Sequence, residues 1–249
     1  MSLKFSIITA SFNNGQTIAD TIQSVQAQDY SHIEHIVVDG ASTDNTLQII
    51  HAMQRRPDVI ISEPDNGIYD AFNKGIALAS GDVIGFLNAD DFLANPHIIS
   101  RLAFAMENEN TDGAYANLVY VKKDDADKIV RTWVAGKYVS NSFRYGWMPP
   151  HPTFYLKKSW YLKYGQYRTD MISAADYELM LRMIHKNKAT LSYINETMVN
   201  MRMGGISNKN LKNRLRANKE DQRAWLLNGL NMPWYTPILK PARKLTQFF

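Results

Sequence analysis

The sequence predicts an α/β fold with a mainly parallel sheet flanked by helices, and three observations carry that prediction. Short apolar runs alternate with segments of helical periodicity from residue 5 to residue 87. Three of the apolar runs stop abruptly at small or acidic polar residues, at Thr9/Ser11, at Asp39 and at Asp90/Asp91. The 249 residues, 45% of them hydrophobic and with a net charge of +4, suit one large α/β domain or a domain with an appendage.

In chain order, residues 5–10 read as a central parallel strand, broken by Ser11-Phe12-Asn13-Asn14-Gly15. Ile18, Ile22 and Val25 recur at helical spacing, giving an amphipathic helix to about Gln28. Residues 33–38 form the next strand, ending at Asp39-Gly40. Ser42-Thr43-Asp44 then supply N-caps for a helix through about Arg55. Residues 59–61 are a third strand and the turn-rich stretch 63–67 opens a helix over 68–79. Residues 83–87 are a fourth strand, stopping at Asn88-Ala89-Asp90-Asp91. Right-handed βαβ units place the ends of such strands along one edge, where ligands of open α/β sheets sit.

Beyond Pro96, which suits a first helical turn, a helix runs to about Met106. Residues 114–121 and 129–134 read as strands around a charged turn, a smaller antiparallel part. The loop 138–150 holds Phe143, Tyr145, Trp147 and Met148, which either stack on sugar rings or cover the core. His151 precedes an apolar strand, and 159–164 is a short helix ended by Gly165. Ala175, Leu179 and Met183 give a buried helical face with Asp176 in its first turn. Residues 190–194 and 198–202 are closing strands, followed by the turn Gly204-Gly205 and a basic helix over 211–227. The tail 232–249 mixes basic and aromatic residues.

Several chemistries are excluded. No stretch approaches the roughly 20 apolar residues of a membrane-spanning helix. The apolar segment 5–12 is short, ends at Asn13-Asn14 and lacks a cleavage-type tail, so no signal peptide is expected. The absence of cysteine rules out disulfides and cysteine-based zinc sites and agrees with a reducing cytosol. There is no G-x-G-x-x-G after the first strand and no P-loop motif, which argues against NAD-type and P-loop chemistry.

Asp90 and Asp91 are adjacent carboxylates past a buried strand, and like charges held together need a cation, hydrogen-bond donors or a raised pKa. They read as facing a divalent metal that carries a diphosphate, or as an acidic turn with Asp91 capping a later helix. Asp39 either accepts hydrogen bonds from a base or ribose or caps the following helix. A carboxylate at Asp176 is favoured by the helix dipole by a few tenths to about 1 kcal/mol, whatever else it does.

The motifs 9–13 (Thr-Ala-Ser-Phe-Asn), 38–46 (Val-Asp-Gly-Ala-Ser-Thr-Asp-Asn-Thr), 62–75 and 88–91 occur in that order. The set resembles the nucleotide-sugar motifs of family 2 glycosyltransferases of the GT-A fold. The resemblance implies that Thr9, Ser11, Asn13 and Asp39 hold the nucleoside, that Asp65 contacts the base and that Lys74 approaches the diphosphate. Ala89-Asp90-Asp91 stands in for the family's D-x-D motif, with Ala89 in place of its first Asp. Asp91 would then be the metal ligand, for Mn2+ or Mg2+, and Asp90 would contact ribose or sugar. The stretch 173–182 resembles the family's "ED"-type motif, which implies Asp176 as catalytic base with Glu178 second. His151, Glu178 and Gly205 are acceptor-side candidates. The Q-x-x-R-W motif of processive synthases is missing.

The expectation is an inverting, metal-dependent, non-processive glycosyltransferase. It would move a sugar, from a UDP-sugar by default, to a glycan or lipid-linked acceptor in bacterial-type surface polysaccharide biosynthesis. Residues 1–208 would be the catalytic domain, with 4–95 the nucleotide-sugar-binding half and 96–208 the acceptor-side half; 209–249 would be a C-terminal helix and tail. A cytoplasmic setting is expected. The tail either lies on an anionic membrane surface at its inner face or packs on its own domain. No nucleic-acid partner is expected. The rivals are a sugar-1-phosphate nucleotidyltransferase, for which 10–16 lacks a basic Gly-rich loop, and a non-catalytic nucleotide-sugar binder.

Overall fold

A computed structural model of the chain describes residues 2–204, 211–244 and 247. In order, the chain forms β1 (Phe5–Ser11), α1 (Ile18–Gln26), β2 (Ile33–Asp39), α2 (Thr46–Ala52), β3 (Val59–Ser62), α3 (Ile68–Leu78) and β4 (Val83–Phe86). The second half adds β5 (Phe92–Leu93), α4 (Ile98–Glu109), β6 (Gly113–Lys122), β7 (Asp125–Trp133), β8 (Tyr155–Lys157), α5 (Lys158–Tyr164), α6 (Ala175–Met180) and β9 (Leu191–Arg202). Two C-terminal helices follow, α7 (Leu211–Leu227) and α8 (Thr236–Ala242).

The described strands form one sheet in the order β3-β2-β1-β4-β8-β6-β9-β5, with β7 paired to β6. The first four are mutually parallel, as the βαβ reading requires. β1 lies between β2 and β4 and all seven of its residues are buried, which is why it reads as an unbroken apolar run. Beyond β4 the sheet turns mixed: β8 is antiparallel to both neighbours, whereas β6 and β9 run parallel. On one face α3 and α6 pack over Ile8, Ile36, Ile84 and Phe86, and Trp225 of α7 joins the same core. On the other, α4 packs over Phe5, Ile7 and Val83.

Four local differences from the sequence reading have physical causes. The two expected closing strands are one strand, β9, because pairing irregularities against β6 around Asn117 accommodate the exposed Asn195-Glu196 without breaking the ladder. The β6–β7 ladder reaches Lys122–Asp125, so 125–128, expected as a turn, is exposed strand. β5 is only two residues long, too short for any periodicity to register. In the aromatic loop, Phe143 and Trp147 are buried and so cover the core, while Tyr145 is exposed and stacks on Tyr235.

Gly85 of β4 shows how tightly β8 seats against β4. A Cβ there would lie 2.1 Å from Cε1 of the Tyr155 ring, a rigid and fully buried neighbour. Gly85→Ala should therefore lower stability by about 1–3 kcal/mol through overpacking, read as a reduced urea midpoint at unchanged m-value. Unaltered stability would show that the ring can yield.

Candidate active site

The ends of the first three strands are brought into line by register: Ser11 pairs with Asp39, and Asp39 with Ser62. Asp39 is fully buried. Its carboxylate accepts the Ser42 amide at 2.9 Å, the Ser42 hydroxyl at 2.5 Å and the Ser62 hydroxyl at 2.7 Å. It does not cap α2; Asp44 does that, accepting the Thr46 amide at 3.0 Å. Thr9 is buried and its hydroxyl shares a 3.0 Å hydrogen bond with His35 Nε2. Burial pushes the His35 imidazole down to about 4, so it is neutral at pH 7. The buried Ser11 hydroxyl has no partner among the described residues, an unmet group at the strand edge.

The loops beyond these strands lock together. Asn13, with φ of 54°, uses its side-chain carbonyl to accept the Thr43 amide at 2.9 Å, and its own amide donates to the Ser42 hydroxyl at 2.8 Å. Asp65 accepts the Gly67 amide at 2.8 Å through Oδ1. Its Oδ2 lies 2.5 Å from where a Cβ on Gly40 would stand, so only glycine admits Asp65 against the exit of β2. Lys74 reaches back from α3 to the Glu63 carboxylate at 2.8 Å and the Pro64 carbonyl at 2.8 Å.

Asp90 is half-buried and Asp91 fully buried. Asp91 accepts the Arg202 amide at 3.2 Å and the Asn88 side-chain amide at 3.1 Å. Arg202 sends its guanidinium to the Asp90 carbonyl at 2.9 Å and to Asp20 at 2.5 Å, not to either carboxylate of the pair. Burial, and then the neighbouring Asp90 charge, hold the Asp91 carboxyl well above the usual range; burial raises Asp90 also. Groups raised in this way favour the fold at low pH and disfavour it as pH rises through their folded-state range, unless a cation is supplied.

Asp176 is the second residue of α6 and is half-buried. Its Oδ1 accepts the Tyr177 amide at 2.8 Å and the Tyr69 hydroxyl at 3.3 Å. Tyr69 opens α3, directly after the Asp65–Gly67 turn, so one short segment links the β2 exit to Asp176. Burial raises the Tyr120 phenol, and the negative charges of both Asp91 and Asp176 act on it in the same sense. His151 shares a 2.6 Å hydrogen bond with Tyr167 and stacks on Phe86 at 5.6 Å. Burial lowers its pKa, while Asp176 pulls it up. Thus one short segment links Asp65, beside the β2 exit, to Asp176, and the charges of Asp91 and Asp176 both act on the Tyr120 phenol.

One expected site residue, Glu178, is turned away from the others. Glu178 is buried, with both oxygens taken by Arg182 at 3.0 and 2.8 Å and Oε1 also by Asn228 at 3.0 Å. Gly205 lies outside the described residues. Sequence reasoning missed Tyr69, Tyr120 and Arg202 as contributors. Tyr69 lies inside the quoted 62–75 motif, two residues past Gly67, and that placement was the available signal. A separate cavity of about 310 Å³ opens at the opposite, N-terminal edge of the strands, beside Gln26, Asp29, His35 and Asp58, and none of Asp39, Asp65, Asp90, Asp91 and Asp176 lines it.

Among the described residues no three His, Asp or Glu side chains stand together to hold a metal. The Asp90/Asp91 pair nevertheless fits a divalent ion of the Mg2+ or Mn2+ kind. Such ions are held by one or two carboxylates, with substrate phosphates and water filling the remaining positions; among the described residues neither carboxylate forms an ion pair, although the charges of Arg202 and Lys123 act on Asp90.

The family described as Glycosyl transferase family 2 matches residues 6–184. The uncharacterized glycosyltransferase MT1564 of Mycobacterium tuberculosis (strain CDC 1551 / Oshkosh) is 33% identical over 185 residues, which are 71% of this chain and 67% of the relative. Among solved structures, S. aureus TarS 1-349 in complex with UDP-GlcNAc is similar with a TM-score of 0.70 at 17% identity, over 95% of this chain and 69% of that one. The mannosyltransferase PcManGT from Pyrobaculum calidifontis, in complex with GDP-Man and Mn2+, is similar with a TM-score of 0.68 at 14% identity, over 96% and 68%. Both share the GT-A fold with this chain.

The buried His35 beneath Thr9 makes an acid-side prediction. Its folded pKa of about 4 lies below the unfolded 6.5, so its stability contribution is complete above pH 6.5 and is lost as pH falls towards 4, by about 3 kcal/mol. Denaturant titrations at pH 7 and pH 4.5 should show that loss in the wild type and a smaller one in His35→Gln. Equal losses would assign the acid sensitivity to other groups.

Proposed function

The chain belongs to glycosyl transferase family 2, and on that premise we propose that it is an inverting enzyme that moves a sugar from a nucleotide-diphosphate sugar to an acceptor hydroxyl. Inversion is a single displacement at the anomeric carbon, so the acceptor hydroxyl loses its proton as it attacks. Asp176 is the proposed general base. The observation that carries this reading is the bridge from Tyr69 to Asp176: α3 begins at the Asp65 turn and its first turn hydrogen-bonds to the proposed base, which supports a single cleft bordered by both. The half-buried carboxylate has one oxygen held by Tyr69 and Tyr177 and no hydrogen bond on Oδ2 among the described residues, which leaves that oxygen for a hydroxyl.

Thr9, Ser11, Asn13, Asp39 and Asp65 are proposed to line the nucleoside pocket, and Lys74 to approach the diphosphate. Asp90 and Asp91 would hold a divalent ion, which when bound neutralises charge on the departing nucleoside diphosphate. UDP-sugars are the proposed donors; the neighbouring structures hold UDP-GlcNAc and GDP-Man, which supports the donor class. His151 is proposed to border the acceptor, a hydroxyl of a glycan or lipid-linked glycan in surface polysaccharide synthesis. Residues 4–95 and 96–208 would be the donor and acceptor halves.

No described helix is long and apolar enough to cross a membrane. The C-terminal part still exposes Leu226 (73%), Trp234 (81%) and Ile238 (61%) beside basic residues. The proposal is that this face rests on an anionic membrane while α8 stays docked through Lys240–Asp221 at 2.7 Å. Trp234→Ala with Ile238→Ser should weaken co-sedimentation with anionic liposomes and leave folding intact; binding equal to wild type would reject the membrane role.

The two acids should fail differently. Asp176→Asn should lower transfer by roughly 10²–10⁴-fold while donor binding and melting temperature persist. Asp90→Asn relieves like-charge repulsion, so it should not lower the melting temperature without ligand. It should abolish the extra thermal stabilisation that Mn2+ gives with a nucleoside diphosphate. Release of pyrophosphate in place of nucleoside diphosphate would instead identify a nucleotidyltransferase.

A further inference from the structure

The turn that precedes α6 has no cap of its own. Its N-cap residue is Ala174, whose side chain offers no oxygen to the orphan amides at the helix start. The amides of Ile172, Ser173 and Ala174 instead all donate to one carboxylate, that of Glu220 on α7, at 3.1, 2.7 and 2.9 Å. Three consecutive amides converging on one anion fix the course of the backbone there. Asp176 follows two residues later.

The rest of α7 runs along the same segment. Arg223 pairs with Asp170 at 2.5 Å and also donates to its carbonyl at 2.9 Å. The buried Trp225 donates to the Tyr177 hydroxyl at 2.9 Å, and Asn228 donates to Glu178 at 3.0 Å. Contacts thus fall on residues 170, 172–174, 177 and 178, on both sides of Asp176. The Tyr69 phenol, which donates to Asp176, also lies in the field of Glu220. α7 itself lies past residue 184, where the family match ends.

We propose that Glu220 is a positioning residue, which holds the 172–174 turn and thereby the direction in which Asp176 faces the cleft. This rests on the reading of Asp176 as general base. Glu220 has no contact with donor or acceptor in this role. Its loss should act on turnover and not on donor affinity, because the donor-side contacts belong to the strand ends and α3.

The test uses the full chain with Glu220→Ala, Glu220→Gln and, as control, Asp176→Asn. Amide exchange over 171–178 is followed by mass spectrometry, and nucleoside diphosphate release is assayed with UDP-, GDP- and dTDP-glucose and with UDP-GlcNAc. In Glu220→Ala the amides of 172–174 should exchange about ten- to a hundredfold faster. Its kcat should fall about tenfold or more, with donor KM within about twofold of wild type. Glu220→Gln keeps one acceptor oxygen and should be intermediate in both readouts, which a loss of folding would not produce. Unchanged exchange overturns the proposal, as does faster exchange with unchanged kcat while Asp176→Asn is inactive. A fall in turnover that only tracks the unfolded fraction, read by circular dichroism at the assay temperature, also overturns it. Full activity in Asp176→Asn would overturn the general-base reading first, and the positioning role with it.

Discussion

A parallel sheet delivers every strand to the same edge, and this chain places a carboxylate at nearly each delivery point. Gathering acids where burial is deep creates a charge problem that the fold solves unevenly. Asp39 is compensated by three hydrogen bonds from serines, and Asp65 accepts the Gly67 amide. Asp91 accepts the Arg202 amide and the Asn88 side-chain amide, yet burial still holds both Asp90 and Asp91 above the usual carboxylate range, and the Arg202 guanidinium bonds to a carbonyl and to Asp20. A buried pair so placed stays ionised only at a cost in stability, which a bound cation would relieve.

The second half of the chain answers a different need. Its strands β8, β6 and β9 extend the sheet past β4, and the segment 150–180 is laid over that extension. α6 carries two acids, two positions apart, which a helix turns to different sides. Glu178 goes inward, to Arg182 and Asn228, and Asp176 stays half-exposed against Tyr69. One motif therefore contains an acid that secures the helix and an acid left half-exposed. The inward ion pair is satisfied on every side, as a buried pair must be.

Most of the parallel half was legible because its signals are local. The run 5–10, the periodicity of Ile18, Ile22 and Val25, and the stop at Asn88-Ala89-Asp90-Asp91 each report on burial by neighbours close in sequence. What stayed hidden depends on distant pairing. The two-residue β5 exists only through Asn200 and Val199 of β9, and the continuity of β9 through Asn195-Glu196 depends on its irregular register with β6. In the site, the acids were visible as residue types in motifs, but their partners were not. Tyr69 reaches Asp176 across 107 positions and Arg202 reaches Asp91 across 111, distances over which no periodicity carries information. Glu178 and Asp176 are both acids of one motif; their partners, Arg182 and Asn228 for the first and Tyr69 for the second, separate them.

Lys74 shows how an occupied side chain remains usable. In the ligand-free chain its ammonium lies 2.8 Å from Glu63, whose hydrogen bond raises the lysine pKa, and so it stays charged. Yet the Glu63 side chain is 56% exposed, and solvent screens an ion pair at such a site, which therefore contributes little to stability. The pair keeps the lysine extended and protonated near the turn that carries Asp65, and the order it imposes on a long side chain is lost entropy that a later contact would not have to supply again.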